Sequence, residues 1–322
     1  MARPTVAVLV AGFIVVVLPL TAVAQERYPT RPIKMVVALG AGSATDALAR
    51  IVAEFLRQEL GTDVVVENKA GAGGVVGGDY VAKSKPDGYT LGALHSSVVT
   101  TSPALSPNYP FDPLKDLESL GSTGVNPIAL VVNAASPWKT LEAFLEHGQK
   151  GKVTCGIIGV GSHSPFNLEL LKSGSGAQIA IVPYKEGTGP AIAALLGAHI
   201  DCSSLVWPAV AGHVRGGKFS ALAVTSRLKD APDLPTFAKK GFPQLSLEVF
   251  LGFYWPAGLP KEVVAKLLPA LEKAIKNPEN ADRLEKTGFS VAYEGPKEVA
   301  ERIRREMGIA REVAKKSGIT QD

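Results

Sequence analysis

The 322-residue sequence predicts an α/β protein of two open sheets, each mostly parallel and flanked by helices. Two observations carry that expectation. Short apolar runs of strand length alternate with segments of helical period, and after Asn126-Pro127 the alternation starts again. At roughly 150 residues per domain the length fits two domains. A composition of 46% hydrophobic and 20% charged residues is that of a folded α/β chain.

In the first unit, Ile33 to Leu39 is a continuous apolar run that reads as a buried strand. A helix follows from Thr45 to Leu60, because Leu48, Ile51, Val52, Phe55, Leu56 and Leu60 recur at three- and four-residue spacing, and Gly61 ends it. Val64 to Val66 and Tyr89 to Leu94 are further strands, with a helix beginning near Gly74. In the second unit, strands are expected at Ile128 to Val132, Val153 to Gly156, Ile179 to Val182, Ile200 to Ser203 and Leu222 to Val224, with helices from Thr140, Ser164, Gly189 and Ala209. Phe250 to Trp255 reads as a return strand. Helices at Lys261 to Lys276, Glu279 to Thr287 and Pro296 to Lys316 end the chain, the last with a charged, solvated face. Two crossings between units make the first one discontinuous: 25–127 with 250–322, around a second domain at 128–249.

The N-terminal stretch reads as an export signal. Arg3 precedes an apolar run from Val6 to Leu20, and Ala22-Val23-Ala24 supplies small residues for cleavage, so residues 1–24 are expected to be removed and the mature chain to be periplasmic. That compartment permits a disulfide between Cys155 and Cys202. Their places in short apolar strands fit two buried free thiols equally well.

Several chemistries are excluded. A formal charge of +4, from 34 Lys and Arg against 30 Asp and Glu, leaves no polyanion footprint, so no nucleic-acid partner is expected. Gly71 to Gly78 spaces its glycines as G-x-G-x-x-x-G and lacks a Gly-Lys-Ser/Thr, which fits neither a dinucleotide nor a phosphate loop. The five histidines are far apart and lack metal-ligand spacing, so neither a metal nor a cofactor is expected. Ser162 sits in Gly159-Val160-Gly161-Ser162-His163-Ser164, which lacks the last glycine of a hydrolase elbow.

What remains is a set of turns rich in small and hydroxylated residues where strands end and helices begin: Gly42, Ser43, Ala44, Thr45 and Asp46; Ser96 and Ser97 after His95; and Gly161, Ser162, His163 and Ser164. Ligands of open α/β sheets bind beyond the carboxyl ends of strands, where helix-start N–H groups favour anions and hydroxyls add neutral donors. Each turn also fits simple helix capping. Asp46 reads first as a loop organiser that accepts backbone N–H groups, and otherwise as a ligand contact. Tyr184 fits a packed aromatic as well as a ligand residue.

Tyr28-Pro29-Thr30-Arg31-Pro32-Ile33, Ala41 to Asp46, Val65-Val66-Glu67-Asn68-Lys69-Ala70-Gly71-Ala72-Gly73-Gly74, Pro86 to Leu91, Val182-Pro183-Tyr184-Lys185 and Leu222 to Ser226 occur in this order, followed by Leu234-Pro235-Thr236 and Pro256 to Pro260. This ordered set resembles the Bug-type extracytoplasmic solute receptors, the substrate-binding proteins of tripartite tricarboxylate transporters, over essentially the whole mature chain. The resemblance implies a two-lobed periplasmic-binding-protein fold, type II-like, that closes on a small organic carboxylate and presents it to the membrane permease, as a monomer and without enzymatic activity. A receptor serving a sensor, or an exported enzyme on the same scaffold, would be the alternatives. The Gly42–Asp46 and Gly161–Ser164 loops would be the two jaws, with Ser96, Ser97 and Tyr184 beside them. The sequence departs from the family at Ala38 and Gly40, where proline is usual, at Ser43, where glycine is usual, at Glu186, which reads as an insertion, and at Pro165, where many members carry histidine.

Overall fold

The computed structural model describes residues 28–159, 161–184, 187–287 and 289–319. The expected export segment lies outside these residues, as do Lys185 and Glu186.

In the first lobe the chain runs β1 (Ile33–Val37), α1 (Ala44–Leu60), β2 (Val64–Asn68), α2 (Val75–Ala82), β3 (Thr90–His95), two short helices α3 (Ser96–Val99) and α4 (Thr101–Leu105), and β4 (Leu117–Asn126). It then crosses into the second lobe as β5 (Ile128–Asn133), α5 (Leu141–Lys150), β6 (Val153–Ile157), α6 (His163–Ser175), β7 (Ile179–Pro183), α7 (Thr188–Leu196), β8 (Cys202–Val206), α8 (Trp207–Arg215) and β9 (Phe219–Val224). The return strand β10 (Val249–Pro256) re-enters the first sheet, and α9 (Lys261–Lys276), α10 (Pro278–Glu285), β11 (Ser290–Glu294) and α11 (Pro296–Ser317) follow. The strand orders are β11-β4-β10-β3-β1-β2 and β7-β6-β8-β5-β9.

The helices follow the periodicity that predicts them. Leu48, Val52 and Leu56 of α1 are buried against β1 and α9, and Gly61 ends the helix in the left-handed region with its N–H on the Arg57 carbonyl. The sheets differ from the expectation of mostly parallel pairing. β2-β1-β3 and β7-β6-β8 are parallel, but β3-β10-β4-β11 and β8-β5-β9 are antiparallel, so both sheets are mixed. Every antiparallel pair involves a strand at a crossing: β4, which runs on through Pro127 into β5 of the other sheet, β5 itself, or the return strand β10. β4 also escapes a sequence reading because it contains Gly121 and Gly124. A Cβ on Gly124 would lie 2.0 Å from the Ser290 carbonyl oxygen, so the approach of β11 demands glycine at the expense of strand propensity.

The two crossings lie side by side, with Asn126 paired to Val249. Thr225 clamps them: its N–H donates to the Ile128 carbonyl and its Oγ1 accepts the Ile128 N–H, each at 3.0 Å. Each sheet has an apolar core on both faces, and a further cluster of Leu105, Phe166, Leu247, Ala310 and Val313 joins α4 and α11 of the first lobe to α6 and the linker before β10. Among the described residues no helix is long and apolar enough to cross a membrane.

Cys155 and Cys202 are bridged, which settles the choice that the sequence leaves open. They face each other in register on neighbouring strands β6 and β8, both fully buried. Linking residues 47 apart restricts the unfolded chain. Replacing both by alanine should lower the unfolding free energy by about 2–4 kcal/mol with the fold retained. Urea denaturation reads this directly, and an unchanged midpoint would deny the bridge a stabilising role.

Candidate functional site

The first loop is built around Asp46. Ser43 caps α1, its Oγ accepting the Asp46 N–H at 3.2 Å, which gives the serine at this position a local use. Gly42, at φ +80, turns its N–H back to Asp46 Oδ2 at 3.0 Å. Arg50 pairs with the same carboxylate one helical turn on, and Asn68 Nδ2 bridges Asp46 Oδ1 to the Leu39 carbonyl. Burial works to raise the Asp46 pKa, but the bonds from Arg50, Gly42 and Asn68 hold the carboxyl below the usual carboxylate range. Asp46 is thus an organiser of the loop, with its oxygens committed. Among the described residues no group accepts from the N–H of Ala44 or Thr45 at the helix start.

The third-strand turn is structural in its first serine. Ser96 is fully buried, and its Oγ accepts the Phe250 N–H at 3.1 Å and donates to the Glu248 carbonyl at 3.4 Å. Ser97 Oγ lies 2.7 Å from His95 Nδ1, while His95 Nε2 is buried without a hydrogen-bond partner. Burial, with His163 nearby adding to it, pushes the His95 imidazole down to about 4, so it is neutral at neutral pH.

In the second lobe, Ser162 closes its own turn. Its Oγ–H donates to the Gly159 carbonyl at 2.7 Å, so this hydroxyl proton is used within the loop, where the sequence reading makes it a donor to a ligand. The side chains of His163 and Ser164 turn inward: Ser164 Oγ donates to the Ser204 carbonyl at 2.8 Å, and His163 Nε2 lies 3.2 Å from Thr100 Oγ1 and 3.7 Å from Glu306 Oε2. Their N–H groups, at the start of α6, have no acceptor among the described residues. Tyr184 is half-buried and packs beside Gly156 with the Ile158 and Leu205 cluster. Among the described residues no hydrogen bond joins Gly42–Asp46 to Gly161–Ser164. The second loop meets the first lobe instead at Thr100 and Thr101, where Thr101 Oγ1 donates to the Gly161 carbonyl at 2.8 Å.

What the sequence reading misses are the supports: Asn68 and Arg50 under Asp46, Thr100 and Thr101 between the lobes, and Glu248 at the hinge, whose Oε1 takes the Thr225 hydroxyl at 2.6 Å. Burial pushes the Glu248 carboxyl up, against the bonds from Ser226 and Thr225. Among the described residues no group of three His, Cys, Asp or Glu is placed to hold a metal ion. The arrangement therefore offers backbone N–H donors from two helix starts.

Asp46→Asn tests the loop. The folded carboxyl titrates below its ordinary value of 3.8, so its contribution is complete above that value and is lost as pH falls through the folded one. The variant should be about 1–3 kcal/mol less stable near neutral pH. Because the protonated wild type then resembles it, the gap should close in acid, as pH falls below 3.8. An equal gap at both pH values in urea titrations would remove the charge from the account.

Residues 48–319 match the model of the tripartite tricarboxylate transporter family receptor. Among curated proteins, BugT of Bordetella pertussis (strain Tohama I) is 33% identical over 303 residues, 91% of this chain and 93% of that protein. Among solved structures, MatC from Rhodopseudomonas palustris with bound malate superposes with a TM-score of 0.71 at 28% identity, covering 89% of this chain and 99% of that one. An R. palustris protein solved with adipate gives a TM-score of 0.76 at 26% identity, covering 91% and 99%. With the family model spanning most of the chain and both sheets in the two-lobed arrangement, this chain belongs to the tripartite tricarboxylate transporter receptors of the Bug type.

Proposed function

We propose that this chain is an extracytoplasmic receptor that captures a small organic carboxylate between its lobes, taken as 25–127 with 250–322 and as 128–249, and delivers it to a membrane permease. The observation that carries the reading is the pair of free helix starts on opposite lobes, Ala44 and Thr45 on α1 and His163 and Ser164 on α6, each with N–H groups and the positive end of a helix dipole. Malate and adipate in the related structures support an acid as the ligand. A micromolar affinity corresponds to about 8 kcal/mol, and bonds to a charged carboxylate contribute roughly 1.5–3 kcal/mol each, so a few N–H donors per lobe suffice without metal or cofactor. His95 and Ser97 are a poor base and nucleophile pair, since the imidazole is held near 4 and among the described residues no carboxylate orients it.

The mature protein should be stabilised by dicarboxylates or tricarboxylates in a thermal-shift screen and not by their neutral amides. An acid at 100 times its dissociation constant adds about 2.7 kcal/mol. Equal stabilisation by neutral analogues would reject the anion reading. Because the donors sit on two lobes, a saturating acid should also reduce the radius of gyration in small-angle scattering. An unchanged radius would confine binding to one lobe. Uptake of the labelled acid that survives deletion of this chain would separate the receptor from transport.

A further inference from the structure

Thr100 and Thr101 are both fully buried where the lobes meet, and both reach the second-lobe loop. Consecutive residues of a regular helix cannot share a face, because they point about 100° apart. Here the chain breaks between α3 and α4 at Thr100, at φ −123 and ψ −72, and that break lets both hydroxyls face the second lobe. Thr100 Oγ1 donates its proton to the Ser96 carbonyl at 2.9 Å, so toward His163 it acts as acceptor and Nε2 is the protonated ring nitrogen. Thr101 gives its proton to the Gly161 carbonyl. The loop it holds contains two glycines, and among its described residues it is closed on itself by Ser162, whose Oγ–H and N–H both donate to the Gly159 carbonyl. One turn further on, Asn167 Nδ2 donates to the Leu247 carbonyl and anchors α6 to the linker before β10.

We propose that Thr101 is a positioning residue for ligand capture: its bond to Gly161, backed by Thr100 on His163, holds the second-lobe loop in place so that the α6 helix-start donors are set before the ligand arrives. This rests on the receptor reading for its functional consequence, but not for the tie itself. The loop ordered in advance does not have to be ordered on binding, which raises affinity without any new contact to the ligand.

Thr101→Val keeps the shape and removes the donor, leaving the Gly161 carbonyl unpaired, and Thr101→Ser restores the hydroxyl. Hydrogen exchange of the peptide spanning 159–164, measured on the ligand-free full chain, should be roughly 3- to 10-fold faster in the valine variant and near wild type in the serine variant. The valine variant should bind the acid found in the screen more weakly by a similar factor, through faster release, while its urea midpoint reports any general loss of stability. Unchanged exchange in the valine variant, or a serine variant as fast as valine, would overturn the tie. Faster exchange with undiminished affinity in the valine variant would overturn its role in capture. If no acid binds the wild type, the receptor reading fails, and the exchange result still decides the tie.

Discussion

The constraint on which the rest depends is a buried polar knot at the two chain crossings. Glu248 is only 6% exposed, and a carboxyl there must find partners within the protein. Thr225 supplies one from the end of β9 while also closing the bond to Ile128, so one side chain fixes both crossings. On the other side, Ser96 ties the end of β3 to the backbone at Glu248 and Phe250. The exits of β3 and β9 are therefore referenced to one point. α3 leaves the end of β3 beside that point, and α6 is tied next to it where Asn167 donates to the Leu247 carbonyl.

How much of this the sequence reveals depends on whether the interaction is local. The Ser43–Asp46 cap lies within four residues, and α1 buries a regular stripe, so the helix boundary and the organising role of Asp46 are legible. Asn68, which completes that loop, comes from the next strand 22 residues on, and only the folded sheet brings it there. Ser96 is read as a site residue because it stands in the right kind of turn. Its partners are 152 and 154 residues away, and they convert it into a hinge support. The same holds for His163 and Ser164, whose side chains are claimed by the other lobe and by β8. Hydroxyl-rich turns mark the strand ends correctly, but not which hydroxyls are already used.

The last helix shows a second limit of pattern reading. Its Arg and Glu content suggests a solvated face, yet Glu306 is fully buried and Arg302 nearly so. Arg302 is shared between Glu294 and Glu306, and Glu294 in turn takes the Ser122 hydroxyl of β4. The apolar stripe changes partner along the helix: Val299, Ile303 and Met307 fill the first-lobe core, whereas Ala310 and Val313 pack with Phe166 and Leu247. A single amphipathic period thus serves two lobes, and the buried charges sit where it passes from one to the other.

The same geometry bears on how a carboxylate can stand at the start of α1 in the proposed anion receptor. An uncompensated Asp46 would repel an anionic ligand at the helix start. Its two oxygens are instead taken up by Arg50, the Gly42 N–H and Asn68, so the loop presents a neutralised pair and free backbone N–H groups beyond it. In the proposed site, N–H dipoles rather than Lys or Arg as donors also avoid burying a cation that would need its own partner whenever no ligand is bound. The cost is geometric: backbone donors cannot reach for a ligand as a long side chain does, so in the proposed site their loops must be held in place, the first by Asp46 within it and the second by Thr100 and Thr101 of the other lobe.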